Sequence, residues 1–455
     1  MLPLKVTEII KATDGKPVCG EMTGIVTSIT TDSRKAETGS LFAAICGERA
    51  DGHDFIDDVF KKGAVCALSE KEIMADGAVI VVENTIAALG KIAKLIMEKL
   101  CIPVVGITGS VGKTTTRDMT YSVVSKLFNT LKNEGNLNNE LGVPLTVFRA
   151  DGDTEAAVME MGMDNFGEID RLSSIVTPTV SVITNIGMSH IERLGSQENI
   201  YLAKSEIFKN TRSNGTVVLN GDDNILMSHK EEITQSVVTV GVKNQNADLV
   251  AYDIVSTESS VSFNVKGMDR EFFVTLPVPG EHNVLNALLA SAVGIVFDIP
   301  SALIAEALSD FSMTKMRMDI IHGDSLTIIN DCYNAAPDSV RAALNVLGKY
   351  HGRKVAILGD IKALGEYSYQ AHRDLGFDVV KSGIDVLFTI GSQAAHIAQG
   401  AQECGIDSSC IFSVDTVEEA QAELANIIKA NDVVLVKASR AMALEHVTEF
   451  LKSNF

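Results

Sequence analysis

A glycine-rich segment between an apolar run and a helical pattern carries the residue types that bind phosphate. Between Gly106 and Thr114, glycines stand at positions 106, 109 and 112, and Lys113 follows the last of them. Backbone N–H groups at the start of a helix can surround phosphate oxygens, the lysine can reach the outer phosphates, and the threonine hydroxyl can ligate Mg²⁺. The common pattern has glycine where Ile107 stands, so this is a variant. The spacing favours nucleotide binding over the alternative, a tight structural turn.

The elements that must position this loop are predicted on either side of it. The apolar residues from Ile102 to Ile107 indicate a buried strand, whereas those from Met119 to Leu127 recur at helical spacing. The sequence therefore predicts the strand–loop–helix arrangement that a phosphate loop requires.

Three further side chains are candidates for metal binding or catalysis. Glu160 ends a short apolar strand, where open α/β sheets present ligand-binding groups, and the alternative is an exposed acid at a strand end. His190 follows a buried strand over 179–185 and could ligate metal or contact a reacting phosphate, although a single histidine is more often structural. Lys204 lies on a predicted helix, where a surface position is the default interpretation.

Polar clusters elsewhere could hold a substrate. Arg34 and Arg49 could pair with a diphosphate, and pairing with nearby surface acids is an equal alternative. The segment over 133–144 is dense in amide side chains, which favour turns but can also hold a substrate. Asn283 and Asn286 could contact a base or cap the helix that follows.

Composition narrows the function classes. The chain has 455 residues, is 46% hydrophobic and 22% charged, and carries a net charge of −20. These proportions are those of a globular protein, and the acidic balance disfavours a nucleic-acid binder, whose affinity would depend on Lys and Arg. We expect a cytoplasmic protein, because the amino end has no signal-peptide pattern and no run approaches the ~18 apolar residues of a membrane span. The seven scattered cysteines show no metal spacing, which indicates reduced thiols.

The predicted elements divide the chain into three α/β units, with expected boundaries at 1–100, 101–312 and 313–455. The first mixes helices with short strands, one of them over 24–30. The central unit contains the phosphate loop, and a mostly parallel sheet is expected there. The third alternates strands with helices, one of them over 339–350, which predicts a Rossmann-like parallel sheet. Its strands end in polar residues but it lacks GxGxxG, so we expect a second-substrate site there and no dinucleotide.

Nine sequence blocks, in order through all three units, together resemble the Mur ligase family. The blocks are TDSR at 31–34, LFAAICGERADGHDF at 41–55, GITGSVGKTTT at 106–116, GNLNNELGVP at 135–144, NIGMSHIERLGS at 185–196, PGEHNVLNALLA at 279–290, DCYNAAPDS at 331–339, LGD at 358–360 with LGE at 364–366, and VKASRAM at 436–442. Each block is weak alone, whereas nine in order are specific. The second, seventh and ninth are most similar to the family member that adds D-alanyl-D-alanine.

The resemblance implies an ATP-dependent, amide-forming ligase of peptidoglycan synthesis. Its implied cofactors are ATP and Mg²⁺, and its substrates are UDP-MurNAc-tripeptide and D-alanyl-D-alanine. Such ligases convert a carboxylate to an acyl phosphate, and an amine then displaces phosphate to leave an amide. Phosphate leaves readily, and Mg²⁺ spreads the charge of the transferring γ-phosphoryl group. The first unit would hold the UDP-sugar-peptide, the central unit ATP and the third unit the dipeptide, in a monomer that closes for catalysis.

The resemblance also implies roles for individual residues. The implied nucleotide-binding residues are Gly109, Ser110, Gly112, Lys113, Thr114, Thr115, Asn283, Arg317 and Asp331. The implied catalytic residues are Lys113, Glu160, His190 and Lys204, and the implied metal ligands are Thr114, Glu160, His190 and Lys204. The implied substrate-binding residues are Ser33, Arg34, Asn138, Asn334, Ser439 and Arg440. The lysine of relatives that matches Lys204 is carbamylated. Addition of CO₂ turns a cation into a carboxylate-like metal ligand.

Departures from the family pattern fall in the third unit. Asn330 takes the first place of an acidic pair, Ala336 replaces an asparagine, and Ala363 replaces an acid. They bear on the dipeptide site, whereas the nucleotide-site residues are intact.

The alternatives are a ligase for another carboxylate, such as a folylpolyglutamate or cyanophycin synthetase, and a scaffold that holds ATP without chemistry. A GTPase is disfavoured because the sequence has no NKxD motif. Whether the tripeptide ends in lysine or diaminopimelate stays open.

Overall fold

The computed structural model describes residues 1–48, 50–323 and 325–455. The described residues form three helix-covered sheets of five, nine and six strands and a separate two-stranded ribbon. The mixed α/β class predicted from the sequence is confirmed. The domain boundaries at 100/101 and 312/313 stay a prediction.

The amino-terminal sheet is small and mostly parallel. Its elements are β1 Leu4–Lys5, α1 Val6–Thr13, β2 Lys16–Cys19, β3 Ile25–Val26, β4 Ser28–Thr30, β5 Ser40–Ala43, α2 Ile56–Lys61, β6 Cys66–Ser69, β7 Ala78–Val81 and α3 Thr85–Leu100. The strand order is β2-β7-β6-β5-β4, and β2 alone of these five is antiparallel to its neighbour. Strands β1 and β3 form the separate ribbon.

The central sheet holds the phosphate loop. Its elements are β8 Val104–Thr108, α4 Lys113–Val124, β9 Thr130–Lys132, α5 Gly142–Val147, β10 Ala156–Glu160, α6 Glu168–Val176, β11 Val180–Ile183, α7 Ile191–Leu194, α8 Gln197–Ser205, α9 Ile207–Asn210, β12 Thr216–Asn220, α10 Asn224–Ser228, β13 Ser236–Gly241, β14 Leu249–Ser256, β15 Val261–Gly267, β16 Arg270–Leu276, α11 His282–Val296 and α12 Ser301–Ser309. The order is β16-β15-β14-β13-β12-β11-β8-β10-β9. Strands β8 to β14 pair in parallel, and β14, β15 and β16 form an antiparallel extension.

The third sheet follows the predicted alternation. Its elements are β17 Asp319–His322, β18 Leu326–Asn330, α13 Pro337–Leu347, β19 Lys354–Gly359, α14 Ser368–Lys381, β20 Val386–Ile390, α15 Ala395–Glu403, β21 Ile411–Val414, α16 Val417–Ile427, β22 Asp432–Lys437 and α17 Glu445–Asn454. The order is β17-β18-β22-β19-β20-β21, and β17 is antiparallel to its neighbour. The carboxyl ends of β18, β19 and β22 therefore meet at one edge, where ligands bind in such sheets.

Two predicted elements differ from the structure. The strand expected over 24–30 is two strands, because β3 pairs antiparallel with β1 whereas β4 pairs in parallel with β5. Between them the Thr27 N–H donates to the carbonyl of Gly39, which turns the chain from one sheet into the other. The helix expected from 339 begins at Pro337, where proline suits the first helical turn because its missing N–H would have no partner there.

Packing joins the first two units. Helix α3 contacts α1 on one side and α5 and α6 on the other, so its apolar face belongs to both. Among the described residues, we find no helix with the length and apolarity needed to cross a membrane.

Candidate active site between the central and third sheets

A cavity of about 540 Å³ lies between the central and third sheets. Both sheets contribute to its wall, through the phosphate loop on one side and the segment between β18 and α13 on the other. Predicted site residues in its lining are Ser110, Gly112, Lys113, Thr114, Thr115, Asn138, Glu160, His190, Arg317, Asp331 and Asn334. These residues come from positions more than two hundred apart in the chain and share one space.

The phosphate loop leaves the end of β8, which lies between β10 and β11. Its glycines are required by close contacts. Gly109 has φ +148, and a Cβ there would lie 1.9 Å from the Thr184 Oγ1, whereas Gly112 has φ +84 and its Cβ would lie 2.7 Å from the Asn286 Oδ1. The variant residue Ile107 is fully buried within β8. The departure from the common motif therefore falls in the strand and leaves the turn intact.

The neighbouring strand end fixes the loop. The Asn185 carbonyl accepts from Ser110 N–H at 3.0 Å, and its Oδ1 accepts from Val111 N–H at 2.9 Å. The Thr184 hydroxyl donates to the Val111 carbonyl at 2.6 Å. These bonds tie the loop to the segment after β11, so the backbone cradle is shaped before a ligand arrives.

Two lysines meet under the loop. Lys113 Nζ donates to the Gly109 carbonyl at 2.8 Å and to the Ser110 carbonyl at 3.3 Å, while Lys204 Nζ donates to the same Gly109 carbonyl at 2.9 Å. Lys204 is 1% exposed, so its default interpretation as a surface lysine is wrong. Burial, and then the charge of Lys113, lowers the pKa of Lys204 well below its usual value. Burial also lowers the pKa of Lys113. The arrangement favours the neutral, nucleophilic amine of Lys204.

Glu160 ends β10 and faces the loop. It is 2% exposed, so the alternative of an exposed strand-end acid is wrong. Its Oε2 accepts from the Thr114 hydroxyl at 2.8 Å and from Arg117 Nη1 at 3.3 Å, and its Oε1 accepts from Asn138 Nδ2 at 2.8 Å. A threonine hydroxyl and a buried carboxylate thus point into the same corner of the cavity.

That corner suits a hard divalent cation. Mg²⁺ is held by one or two carboxylates, waters and substrate phosphates rather than by an all-protein cage. Across the described ranges, no three His, Cys, Asp or Glu side chains come together as a metal site. The oxygen pair of Thr114 and Glu160 beside a phosphate loop fits a Mg²⁺ site completed by waters and substrate phosphates.

His190 lines the cavity beyond the lysines. Its Nδ1 lies 2.9 Å from the Asp164 Oδ1, and its φ of +67 turns the chain into α7. Burial, and then the charges of Lys113 and Lys204, lowers the pKa of His190 to about 4. At neutral pH the imidazole is therefore uncharged, as a metal ligand must be.

The wall from the third sheet is built around Asp331 and Lys437. Lys437 Nζ donates to the Asp331 Oδ2 at 2.5 Å and to the Asn334 carbonyl at 3.1 Å. The Asp331 Oδ1 accepts from Met318 N–H at 3.1 Å. The Arg317 guanidinium lies over the Tyr333 ring, 4.1 Å from its centre. Lys437 belongs to the ninth sequence block, but its burial and its ion pair depend on the fold.

The asparagine pair of α11 divides between two roles. Asn283 is fully buried, and its Nδ2 donates to the Pro279 carbonyl at 2.7 Å while its Oδ1 accepts from Asn286 Nδ2 at 3.1 Å. Asn286 lines the cavity, as does His282. A contact between Asn283 and adenine stays a prediction, and Asn286 is the pair member that faces the space.

Other predicted residues lie outside this lining. The Ser439 hydroxyl accepts from Lys362 N–H at 2.9 Å, and Arg440 Nη2 pairs with the Glu445 Oε1 at 2.8 Å. In the first unit Arg34 pairs with Asp32 at 2.8 Å, with the arginine side chain 87% exposed. That pair matches the surface-pair alternative.

Two first-unit predictions need separate mention. The Ser33 carbonyl accepts from the side chain of Lys62, the residue after α2, at 2.7 Å, and the role of the Ser33 hydroxyl stays a prediction. The predicted diphosphate contact of Arg49 lies outside the described residues.

Sequence reasoning missed a buried ion pair next to the loop. Arg117 and Asp118 follow the threonine run on α4 and are 2% and 6% exposed. Burial alone would raise the pKa of Asp118, but Arg117 and Lys132 hold it below its usual value. Two adjacent charges in the second turn of α4, directly after the threonine run, were the available signal.

Comparisons with known proteins cover the whole chain. Family models match in three stretches: "Mur ligase family, catalytic domain" at 25–105, "Mur ligase middle domain" at 107–294 and "Mur ligase, glutamate ligase domain" at 316–440. The UDP-N-acetylmuramoyl-tripeptide–D-alanyl-D-alanine ligase of Bacillus subtilis is 38% identical over 98% of this chain and 97% of its own. A crystal structure of MurF from Acinetobacter baumannii is 34% identical over 99% of both chains, with a TM-score of 0.92. MurF from Thermotoga maritima, solved with ADP, is 29% identical over 94% of this chain and 97% of its own, with a TM-score of 0.84.

Proposed function

Because this chain belongs to the Mur ligase family, as its nine sequence blocks predicted, we propose that it joins D-alanyl-D-alanine to UDP-MurNAc-tripeptide and converts ATP to ADP and phosphate. The products would be UDP-MurNAc-pentapeptide, ADP and phosphate. The boundaries at 1–100, 101–312 and 313–455 would separate the UDP-sugar-peptide, ATP and dipeptide domains.

One observation carries the proposal: a phosphate loop and a second, oppositely placed set of polar groups face the same cavity. The loop side presents Lys113, Thr114 and Glu160, and the far side presents Asp331 and Asn334. An acyl phosphate formed at the loop would therefore face the domain that supplies the amine. Holding both reactants in one enclosed space replaces a bimolecular encounter by an oriented reaction.

The reaction needs two bond changes. A carboxylate oxygen of the tripeptide attacks the γ-phosphorus of ATP and releases ADP, which leaves an acyl phosphate. The dipeptide amine then attacks the acyl carbon and loses a proton, and the tetrahedral intermediate expels phosphate. We assign Lys113, the backbone N–H groups of Gly109, Gly112 and Thr115, and the Ser110 hydroxyl to the phosphate oxygens. Arg317 and Asp331 would bind the nucleotide from the third domain.

Mg²⁺ fits the oxygen pair of Thr114 and Glu160, with His190 nearby for a second ion. When bound it would offset the charge on the transferring phosphoryl group.

We propose that Lys204 carries a carbamate. Its burial, its lowered pKa and the acceptor that it shares with Lys113 support this, because only an unprotonated amine adds CO₂.

The remaining assignments follow the family pattern. Ser33 and Arg34 would hold the UDP end, and Asn138 would line the tripeptide side. Asn283 would contact adenine, and Asn334, Ser439 and Arg440 would hold the dipeptide. ATP and a UDP-linked sugar are cytoplasmic metabolites, so we propose that compartment. We propose a monomer.

The test is phosphate release by the purified protein with MgATP and D-alanyl-D-alanine, with tripeptides ending in lysine or in diaminopimelate. We expect release that needs both partners, and a UDP-MurNAc-pentapeptide mass in the product. The better tripeptide identifies the third residue. ATP binding without turnover on either tripeptide would overturn the ligase function and favour a scaffold.

A matched pair of variants connects activity to the site. Glu160→Gln removes the buried carboxylate charge and should lower phosphate release by roughly 100-fold, the scale of losing one charged group at a phosphoryl-transfer site. Glu155→Gln changes an exposed acid on the approach to the same strand and should leave the rate unchanged.

A further inference from the structure

A buried arginine stands behind the candidate metal corner. The side chains of Arg117 and Asp118 are 3% and 8% exposed. Arg117 Nε donates to the Asp118 Oδ1 at 3.0 Å, and Nη2 donates to Oδ1 at 2.9 Å and to Oδ2 at 3.1 Å. This fork leaves Nη1 for other acceptors, and Nη1 reaches the Glu160 Oε2 at 3.3 Å and the Gly135 carbonyl at 3.3 Å.

The contact with Glu160 completes an orienting set. Asn138 holds one carboxylate oxygen, while Thr114 and Arg117 converge on the other. Thr114 and Arg117 lie on α4, and Asn138 lies in the segment between β9 and α5, so two separate segments fix the carboxylate plane against rotation. Oε2, the oxygen beside the Thr114 hydroxyl, is the one that Arg117 holds.

The positive charge of Arg117 is already balanced. Asp118 pairs with it through the fork and also accepts from Lys132 Nζ at 2.7 Å and from the Thr314 hydroxyl at 2.7 Å. Thr314 lies in the linker between α12 and β17, so the pair is anchored both to the central sheet and to the connection with the third. A balanced pair repels a nearby cation weakly, and its remaining effect on the corner is geometric.

We propose that Arg117 is a positioning residue for Glu160: braced by Asp118, it holds the Glu160 carboxylate beside Thr114 in the orientation that a divalent cation needs. The inference rests on the proposed function, because it takes that corner as the Mg²⁺ site. It assigns to Arg117 no contact with substrate or with the reacting atoms. Partners of this kind typically change metal affinity by about 10- to 100-fold when removed.

The test measures ADP binding by calorimetry over a range of Mg²⁺ concentrations. For Arg117→Met we expect the Mg²⁺ concentration that gives half of the maximal increase in ADP affinity to rise by about tenfold or more. The affinity for ADP without Mg²⁺ should change by less than about threefold. Arg117→Lys keeps the charge but not the forked contact with Asp118, so its Mg²⁺ requirement should lie between those of the wild type and Arg117→Met. If Arg117→Met does not fold, Arg117→Gln, which keeps a donor of similar length, is judged by the same criterion.

Two controls separate position from charge and from stability. The double variant Arg117→Met with Asp118→Asn keeps the local charge balance, and we expect it to retain the raised Mg²⁺ requirement. Recovery of the wild-type requirement in that double variant would show a charge effect and overturn the proposal. Arg353→Met breaks another partly buried pair, with Asp432 at 3.0 Å, far from the corner. An equal Mg²⁺ shift in Arg353→Met would also overturn it.

The readout does not depend on the ligase reaction. If the wild-type protein binds ADP with Mg²⁺ but forms no product, the proposed function fails while the role of Arg117 is still decided by the binding curves. If product forms and the Mg²⁺ requirement of Arg117→Met equals that of the wild type, the positioning role fails alone.

Discussion

Lys113 and Lys204 donate to one and the same acceptor, the carbonyl oxygen of Gly109, at 2.8 and 2.9 Å. Two ammonium groups at one carbonyl repel each other, and both are shielded from water. Loss of one proton relieves the repulsion, and the more deeply buried Lys204 is the group whose pKa falls well below normal. The fold thus prepares one specific lysine for chemistry that a charged amine cannot do.

Substitution of Lys204 by arginine tests this preparation. Lys204→Arg places a permanent positive charge at this position and cannot form a carbamate, so we expect phosphate release to fall by roughly 10- to 100-fold. In bicarbonate buffer labelled with carbon-13, the wild type should show a carbamate resonance that Lys204→Arg lacks. Lys209→Arg, on the exposed side of the next helix, should match the wild type in both measurements. Full activity in Lys204→Arg would contradict a functional carbamate.

Gly109→Ala should cost both stability and nucleotide binding. The residue has φ +148, and an added Cβ would lie 1.9 Å from the Thr184 hydroxyl oxygen, so the loop must shift. We expect a loss of about 1–3 kcal/mol in the free energy of unfolding, measured in urea, and weaker ADP binding by calorimetry. Gly152→Ala is the control, because nothing lies within 4 Å of its added Cβ. Unchanged ADP affinity in Gly109→Ala would show that the loop geometry is not needed.

The pair of Asp331 and Lys437 should behave as a coupled unit. Their side chains are 13% and 2% exposed, so Asp331→Asn leaves a buried ammonium without its counter-charge. We expect that variant to lose about 3–5 kcal/mol of unfolding free energy in urea. Adding Lys437→Met removes the stranded charge and should restore most of the loss. Additive losses in the double variant would instead show that the two side chains stabilise the fold independently.

His372 should make stability depend on pH. Its Nε2 accepts from Ile361 N–H at 3.0 Å, and its Nδ1 donates to the Ser368 carbonyl at 2.7 Å, so the buried ring is neutral. Burial lowers the pKa of His372, whereas the unfolded chain titrates near about 6.5. Below that pH the unfolded state binds a proton that the folded state does not, and stability falls as pH falls toward the lower, folded pKa.

The measurement compares urea midpoints at about pH 7.5 and about pH 5.5. His372→Gln should lose less stability over this interval than the wild type, although it starts lower because a hydrogen bond is lost. His322→Gln, at an exposed position, should retain the wild-type pH dependence. The same pH dependence in His372→Gln and the wild type would assign the effect to other groups.

Local sequence patterns predicted the secondary structure well where a short apolar run has turn residues on both sides. Strands β18, β20 and β21 follow the alternation of strands and helices predicted for the third unit, because short apolar runs between turn residues have few alternatives. The segment over 24–30 failed because periodicity identifies a strand but not its partner. The prediction of a surface position for Lys204 was wrong for a similar reason, because a single lysine on a helix is a surface residue unless another element covers it.

By itself the sequence determined the strand, the glycine loop and the helix that make the phosphate site, the alternation of the third unit, and membership of the family. These follow from neighbours in the chain, whose spacing sets backbone conformation. Only the tertiary structure decided that Glu160 faces Thr114, that Lys204 reaches Gly109, and that Asp331 pairs with Lys437. Such pairs are 46, 95 and 106 residues apart, and they depend on which strands lie side by side and which helices cover them. The charge and pKa of each group are set by that burial, which no local pattern contains.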